Sequence, residues 1–371
     1  MKIAFQTRFL RRGFINERGY FIYELFTRIA RDHPEHEFLI ITPEVVSTDF
    51  VFSPGIKFLI SGPTSQNYLS SKYWWDIRLP LLLTKNKVDI FFGGDGICSL
   101  RTKIPQCILS DELQWKLYPE QYSSTALFFL KRHFPKNYKR ADHIFFYNNF
   151  IKEYASSYVK LTEEKTSVIY SGADIPQILS EEDKTGIREL HTSGKHFFLS
   201  RFTNSSEQII DLLKSFSLFK KRQQTNMHLL VFISGSVSIS LKALLSSYKY
   251  REDVVVLSGN ELQYRNLLAA SYGYIDINVI SSPGVYMLHA AVAGVPLILA
   301  QIPSNHELAK DAALYSTENH PASFASLMML LYKNESLRND HIARGKEMAA
   351  GFSWDKTAGH VWKTISGIRV S

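Results

Sequence analysis

Residues 281–296 read Ser281-Ser282-Pro283-Gly284-Val285-Tyr286-Met287-Leu288-His289-Ala290-Ala291-Val292-Ala293-Gly294-Val295-Pro296. The apolar run at 275–280 ahead of them predicts a strand. Pro283-Gly284 predicts a turn, 285–293 a short helix, Gly294 its C-terminal stop and Pro296 the start of a further strand. A helix that opens directly after a strand presents unpaired backbone N–H groups and a positive dipole end, which favours a phosphate. Ser281 or Ser282 could equally do no more than cap that helix. Both readings stand at this point, because strand–turn–helix units are common in α/β proteins.

The neighbouring sequence repeats the same alternation. In the second half, runs at 196–200, 228–233, 254–257, 275–280 and 297–300 read as strands. Stretches at 211–221, 241–248 and 262–270 read as the helices between them. In the first half, 2–6, 37–42, 88–92, 106–109 and 143–146 read as strands. Phe21, Leu25 and Ile29 lie at helical spacing within a helix at 20–31. Strands alternating with helices predict parallel sheets covered on both faces. Gly172-Ala173-Asp174-Ile175-Pro176 interrupts the series, and the charged stretch up to Lys195 reads as a connection. The chain therefore divides into an α/β domain over 1–175, a second over 176–355, and a terminal helix over 356–371 that crosses back to the first. Each domain is a doubly wound parallel sheet. Such sheets bind ligands beyond the carboxyl ends of their strands, so two of them facing one another would hold a ligand in a central cleft.

With 371 residues, 45% of them hydrophobic and 21% charged, the chain is long enough for two cores. The 43 basic and 35 acidic residues leave a formal charge of +8. That excess suits a nucleotide diphosphate, an acidic membrane or nucleic acid, and it also suits plain solubility. No helix-turn-helix, zinc finger or RNA-binding motif is present, so nucleic acid is set aside. The two cysteines, Cys98 and Cys107, make neither a metal spacing nor a disulfide framework, which points to a reducing compartment. With no signal-peptide pattern and no apolar run of spanning length, the expected location is cytoplasmic, with any membrane contact peripheral and at the inner face.

Several segments, in order, resemble the family-4 (group 1) glycosyltransferases. They are Gly19-Tyr20 with Glu24-Leu25; Trp75 with Leu79-Pro80 and Asp89; Ser110-Asp111; Tyr170-Ser171-Gly172-Ala173-Asp174; Ser200-Arg201; residues 281–296; Asn305-His306-Glu307 with Asp311-Ala312-Ala313-Leu314; and Phe352-Ser353-Trp354. The resemblance covers nearly the whole chain. It implies the GT-B fold, with an acceptor-side N-terminal domain and a nucleotide-sugar-binding C-terminal domain. It also implies sugar transfer to a glycan or lipid-linked acceptor, as in polysaccharide biosynthesis. Transfer would be retaining and metal-independent, with the nucleotide sugar as co-substrate and no cofactor.

The resemblance implies a donor site at Arg201, Ser281, Ser282, Gly284, Val285, Tyr286 and His289, with Arg201 and Asp111 nearest the chemistry. The family's two donor glutamates, one at the sugar and one at the ribose, fall on Ser281 and His289. Its phosphate lysine falls on Ser206 or Glu207, and its histidine near the transferred sugar falls on Ser110. Losing one charge-assisted donor from a leaving diphosphate costs roughly a hundredfold in rate. A second expectation is therefore an inactive GT-B protein that binds a nucleotide or a partner enzyme. His289 reads either as a stand-in for the ribose glutamate or as a polar residue on a buried helix. Asp111 reads as a site residue or as a loop cap, and Glu307 as a helix or loop terminus. On the acceptor side, Arg11, Gly13 and Gly19 mark the loop after the first strand. The aromatic and basic stretch 118–140, with Phe128, Phe129 and Leu130, reads as a solvated helix face or as a peripheral membrane contact.

Overall fold

The computed structural model describes residues 1–11, 14–46, 50–63, 68–110, 114–117, 119–173, 179–203, 206–279 and 282–368. Two compact units make up the chain. The first comprises Met1–Arg12, Arg18–Ser171 and Trp354–Ser371; the second comprises Gly13–Glu17 and Gly172–Ser353.

In chain order the strands are β1 (Lys2–Gln6), β2 (Leu10–Arg11), β3 (Phe14–Ile15), β4 (Glu37–Thr42), β5 (Ile56–Ile60), β6 (Ile90–Gly93), β7 (Gln106–Ser110), β8 (His143–Phe146) and β9 (Thr166–Val168). The first unit's sheet has the order β5-β4-β1-β6-β7-β8-β9, and its recorded pairings are parallel. Strands β6, β7 and β8 are buried at every position, as expected for strands covered on both faces. The core joins Ala4, Leu39, Phe91 and Ile108 on the sheet to Trp74, Trp75, Leu79, Phe134 and Tyr138. The last helix, Trp354–Ser366, packs Trp354 edge-on against Phe21 at 5.2 Å and donates the Thr357 hydroxyl to the Tyr170 carbonyl at 2.7 Å.

The second unit contributes β10 (Phe197–Phe202), β11 (His228–Ile233), β12 (Val254–Ser258), β13 (Gly273–Asp276), β14 (Leu297–Ala300) and β15 (Ala313–Ser316). Their order is β12-β11-β10-β13-β14-β15, again with parallel pairings. β13 ends at Asp276, earlier than the expected run to 280, because Asp276 turns its carboxylate onto the Asn278 amide at 2.9 Å and closes the ladder there. The stretch read as a plain connection contains the helix Glu181–Thr192. A capping box between Ser180 and Asp183 starts that helix.

Candidate functional site

The helix Val285–Val292 follows β13 as expected and is buried from Val285 through Ala291. Its small residues permit this, since Ala291 lies against Gly345 of the helix Glu335–Ala350, 3.6 Å from where a Cβ on Gly345 would sit. Gly284 is its N-cap at φ +77°, and a Cβ there would come within 2.5 Å of Leu308 Cδ1. Backbone conformation requires glycine at this position, and a Cβ would also have to push the end of the Leu308 side chain aside. Gly294 ends the helix at φ +73°. Ser281 lies outside the described residues.

No side chain of its own caps this helix. The carboxylate of Glu17, which belongs to the same unit, takes that place. It accepts from the Tyr286 amide at 3.3 Å and also from the Ser282 hydroxyl and the Val285 amide. Burial pushes the Glu17 carboxyl above its usual range, while these hydrogen bonds and the charge of Arg201 pull the other way. Thus Ser282, Val285 and Tyr286 do gather around an anion, and the anion is the protein's own. The sequence gives no sign of Glu17 in this role, because nothing nearby marks an acidic residue at the start of the first helix as a cap for a residue 269 positions away.

Arg201 sits on β10 opposite Phe232 of β11. Its side chain is 3% exposed. Nε donates to the Ser234 hydroxyl at 2.9 Å, and Nη1 donates to Glu261 Oε2 at 2.9 Å. The guanidinium lies over the rings of Tyr286, at 3.8 Å, and Tyr264, at 4.2 Å. Burial alone would lower its pKa, but Glu261 and the two tyrosines more than offset this, and the net direction is upward. A cation with these partners is held in the protein's interior and acts on the helix mouth through its charge. The same Glu261 brings His289 into the cluster, with Nδ1 3.9 Å from Oε1. His289 is thus a buried polar residue of this helix with an acidic side chain nearby. Glu261 opens the helix Glu261–Ala270 behind an Asn260–Gln263 capping box. An acidic first turn is so common in helices that the sequence gives no hint of this pairing.

Asp276, at the carboxyl end of β13, completes the acidic side. Burial raises its carboxyl to about 7; the Asn278 amide opposes the shift and the charge of Glu17 adds to it.

In the first unit, Ser110 is buried at the end of β7 and hydrogen-bonds the Tyr138 hydroxyl, so it faces the core where the family histidine would face a substrate. Asp111 and Gly13 lie outside the described residues, as do the backbones of 204 and 205; of the side chains of Ser206 and Glu207 nothing is described. Arg11 ends the short strand β2. Gly19, expected in a loop, is buried inside the helix Glu17–Asp32, whose start precedes it by two residues. Phe129 and Leu130, two of the three apolar residues considered for a membrane face, are core residues, and only Phe128 is exposed. The helical spacing of Ser124–Arg140 turns those two inward. Among the described residues no helix is long and apolar enough to cross a membrane.

No protein-family model matches the chain. In sequence it is similar to the O-antigen chain mannosyltransferase RfbU of Salmonella typhimurium, 22% identical over 309 residues that cover 80% of each protein. In structure it is similar to WaaG, a glycosyltransferase involved in lipopolysaccharide biosynthesis, with a TM-score of 0.76 at 13% identity over 99% of this chain and 100% of that one. HepE of Anabaena, in complex with UDP-glucose, matches with a TM-score of 0.76 at 15% identity over 99% and 100%. Sucrose-phosphate synthase of Thermosynechococcus elongatus matches with a TM-score of 0.76 at 12% identity over 98% and 99%. The fold is GT-B.

Proposed function

We propose that this chain, a GT-B protein of the group 1 glycosyltransferase type, transfers a sugar from a nucleotide-sugar donor to a glycan or glycoconjugate acceptor. One observation carries the reading: the mouth of the helix Val285–Val292 holds a carboxylate on two backbone amides and the Ser282 hydroxyl, beside the charge of Arg201. A phosphate of the donor would take the same amides once Glu17 withdraws. As the sugar leaves, negative charge grows on the diphosphate. Oriented amides and a nearby buried cation stabilise that charge without having to reorganise. Retention of configuration, with the leaving group met by these protein groups, follows the group 1 pattern. The UDP-glucose complex of HepE supports a nucleoside diphosphate sugar as the donor class, and the mannosyltransferase name of RfbU supports sugar transfer.

A second reading, nucleotide or partner binding without turnover, is favoured by the commitment of Arg201 to Glu261. Incubation with a panel of nucleotide sugars, read as released nucleotide alongside thermal shifts with nucleoside diphosphates, separates the two. The transferase reading expects release that Arg201→Ala abolishes. Stabilisation without release supports the second reading, and stabilisation by no nucleotide overturns both.

A further inference from the structure

The first unit has a cavity of about 150 Å³ at the carboxyl ends of β1, β4 and β6. Gln6, the last residue of β1, Asp95, just beyond β6, Arg8 and Ser71 supply its polar surface, and Trp75, Phe129 and Leu130 most of its apolar surface. Half-buried Pro43, Pro63, Tyr122 and Ala126 form a rim to solvent.

Gln6 is 2% exposed and its amide is only half used. One end donates to Asp95 at 3.0 Å. Because a carboxylate only accepts, this end must be Nε2, and the assignment of Oε1 follows. Oε1 has no hydrogen-bond partner among the described residues. Asp95 is itself well served: it accepts from the Thr7 hydroxyl at 3.3 Å and the Arg8 amide at 3.2 Å, and Arg8 Nε lies 3.9 Å away. Its charge is thereby balanced, leaving a buried neutral acceptor beside aromatic walls.

We propose that this cavity is a subsite for a neutral hydroxylated ring, one sugar of the acceptor, with a ring hydroxyl donating to Gln6 Oε1 and its apolar face against Trp75 and Phe129. A purely apolar chain would leave the Gln6 acceptor buried without a partner, which is unfavourable. An anion would have to compete with Asp95 for the Arg8 guanidinium, whereas a hydroxyl on Gln6 displaces nothing. The volume corresponds to about five waters at ~30 Å³ each, enough for one ring and below the range of larger ligand pockets. Assigning the ring to the acceptor rests on the sugar-transfer reading; the binding itself does not.

Saturation-transfer NMR with methyl α-mannopyranoside, methyl β-glucopyranoside and methyl β-galactopyranoside, without nucleotide, tests the subsite. At least one glycoside should bind, and Gln6→Leu should weaken it tenfold or more. Ala126→Trp, which fills the rim without touching Gln6, should do the same. Thermal unfolding of both variants, with and without nucleoside diphosphate, checks that the fold and donor response persist. Absence of glycoside binding, undiminished binding in folded Gln6→Leu, or displacement of the glycoside by 1-octanol overturns the proposal. Glycoside failure with nucleotide release intact removes the subsite alone. Glycoside binding without any nucleotide response upholds the subsite and removes the transferase reading.

Discussion

The carboxyl ends of the two sheets are polar in opposite ways. Beyond β1 and β6, Asp95 is satisfied by its neighbours while Gln6 keeps one acceptor in reserve. Beyond β10 and β13, charged and polar groups answer one another: Arg201 with Glu261, Glu261 near His289, and Glu17 on the amides of Val285 and Tyr286. A neutral spare acceptor can take a hydroxyl at little cost, because nothing has to be displaced. A self-answered charged site must first release one of its own members. The difference is between a polar end that holds an acceptor in reserve and one whose charged groups are paired with each other.

The largest effect is expected from removing the cation. Arg201→Ala leaves Glu261 half-buried without its guanidinium and should cost about 3–5 kcal/mol of stability by urea unfolding, with loss of nucleotide binding. If stability held, the charged network would be less interlocked than its distances imply. Asp276→Asn tests the acidic side with the opposite sign. A carboxyl raised from 3.8 to about 7 favours the protonated folded state. Its stabilising effect is therefore complete below about pH 4 and is lost as pH rises toward 7. The asparagine variant should match the parent at pH 4 and exceed it at pH 8, by up to about 4 kcal/mol. Equal urea midpoints at both pH values would show that Asp276 titrates normally.

Gly284→Ala attacks the helix mouth itself. With φ at +77° and Leu308 in the path of a Cβ, it should cost about 1–3 kcal/mol and weaken nucleotide binding together with stability. The smallest expected change sharpens the contrast most. Glu17→Gln keeps a side-chain acceptor at the amides but removes its charge, so nucleoside diphosphates should bind about tenfold tighter, worth about 1.4 kcal/mol. Calorimetric titration showing unchanged or weaker affinity would mean that Glu17 and the phosphate do not share a seat.

Central strands could be read directly from the sequence, and so could the edge strand β12, an apolar run of three valines and a leucine; the other edge strands could not. β1, β4, β7, β8, β11 and β14 are short apolar runs because helices cover both their faces. The strands of the two large sheets not anticipated, β5, β9 and β15, lie at their edges, and the two-residue strands β2 and β3 were not anticipated either. β5 is largely exposed and β9 has three residues, so neither has a long apolar run to betray it. The helix after β13 and its two glycines were also legible, because a turn and a stop each need backbone freedom that glycine supplies. The roles of Glu17, Glu261 and Asp276 were not. A carboxylate's partner depends on which loops meet at a strand end, and no spacing along the chain records that.

The order of apolar runs, turns and glycines by itself determined two doubly wound units and the helix that opens at Val285, since burial on both faces and left-handed turns limit the residue types that fit. Only the tertiary structure decided that Arg201 turns to Glu261, that Glu17 fills the helix mouth and that Gln6 keeps an unused acceptor. Those outcomes depend on distances of about 3 Å between residues far apart in the chain, where hydrogen bonds and ion pairs are made or lost.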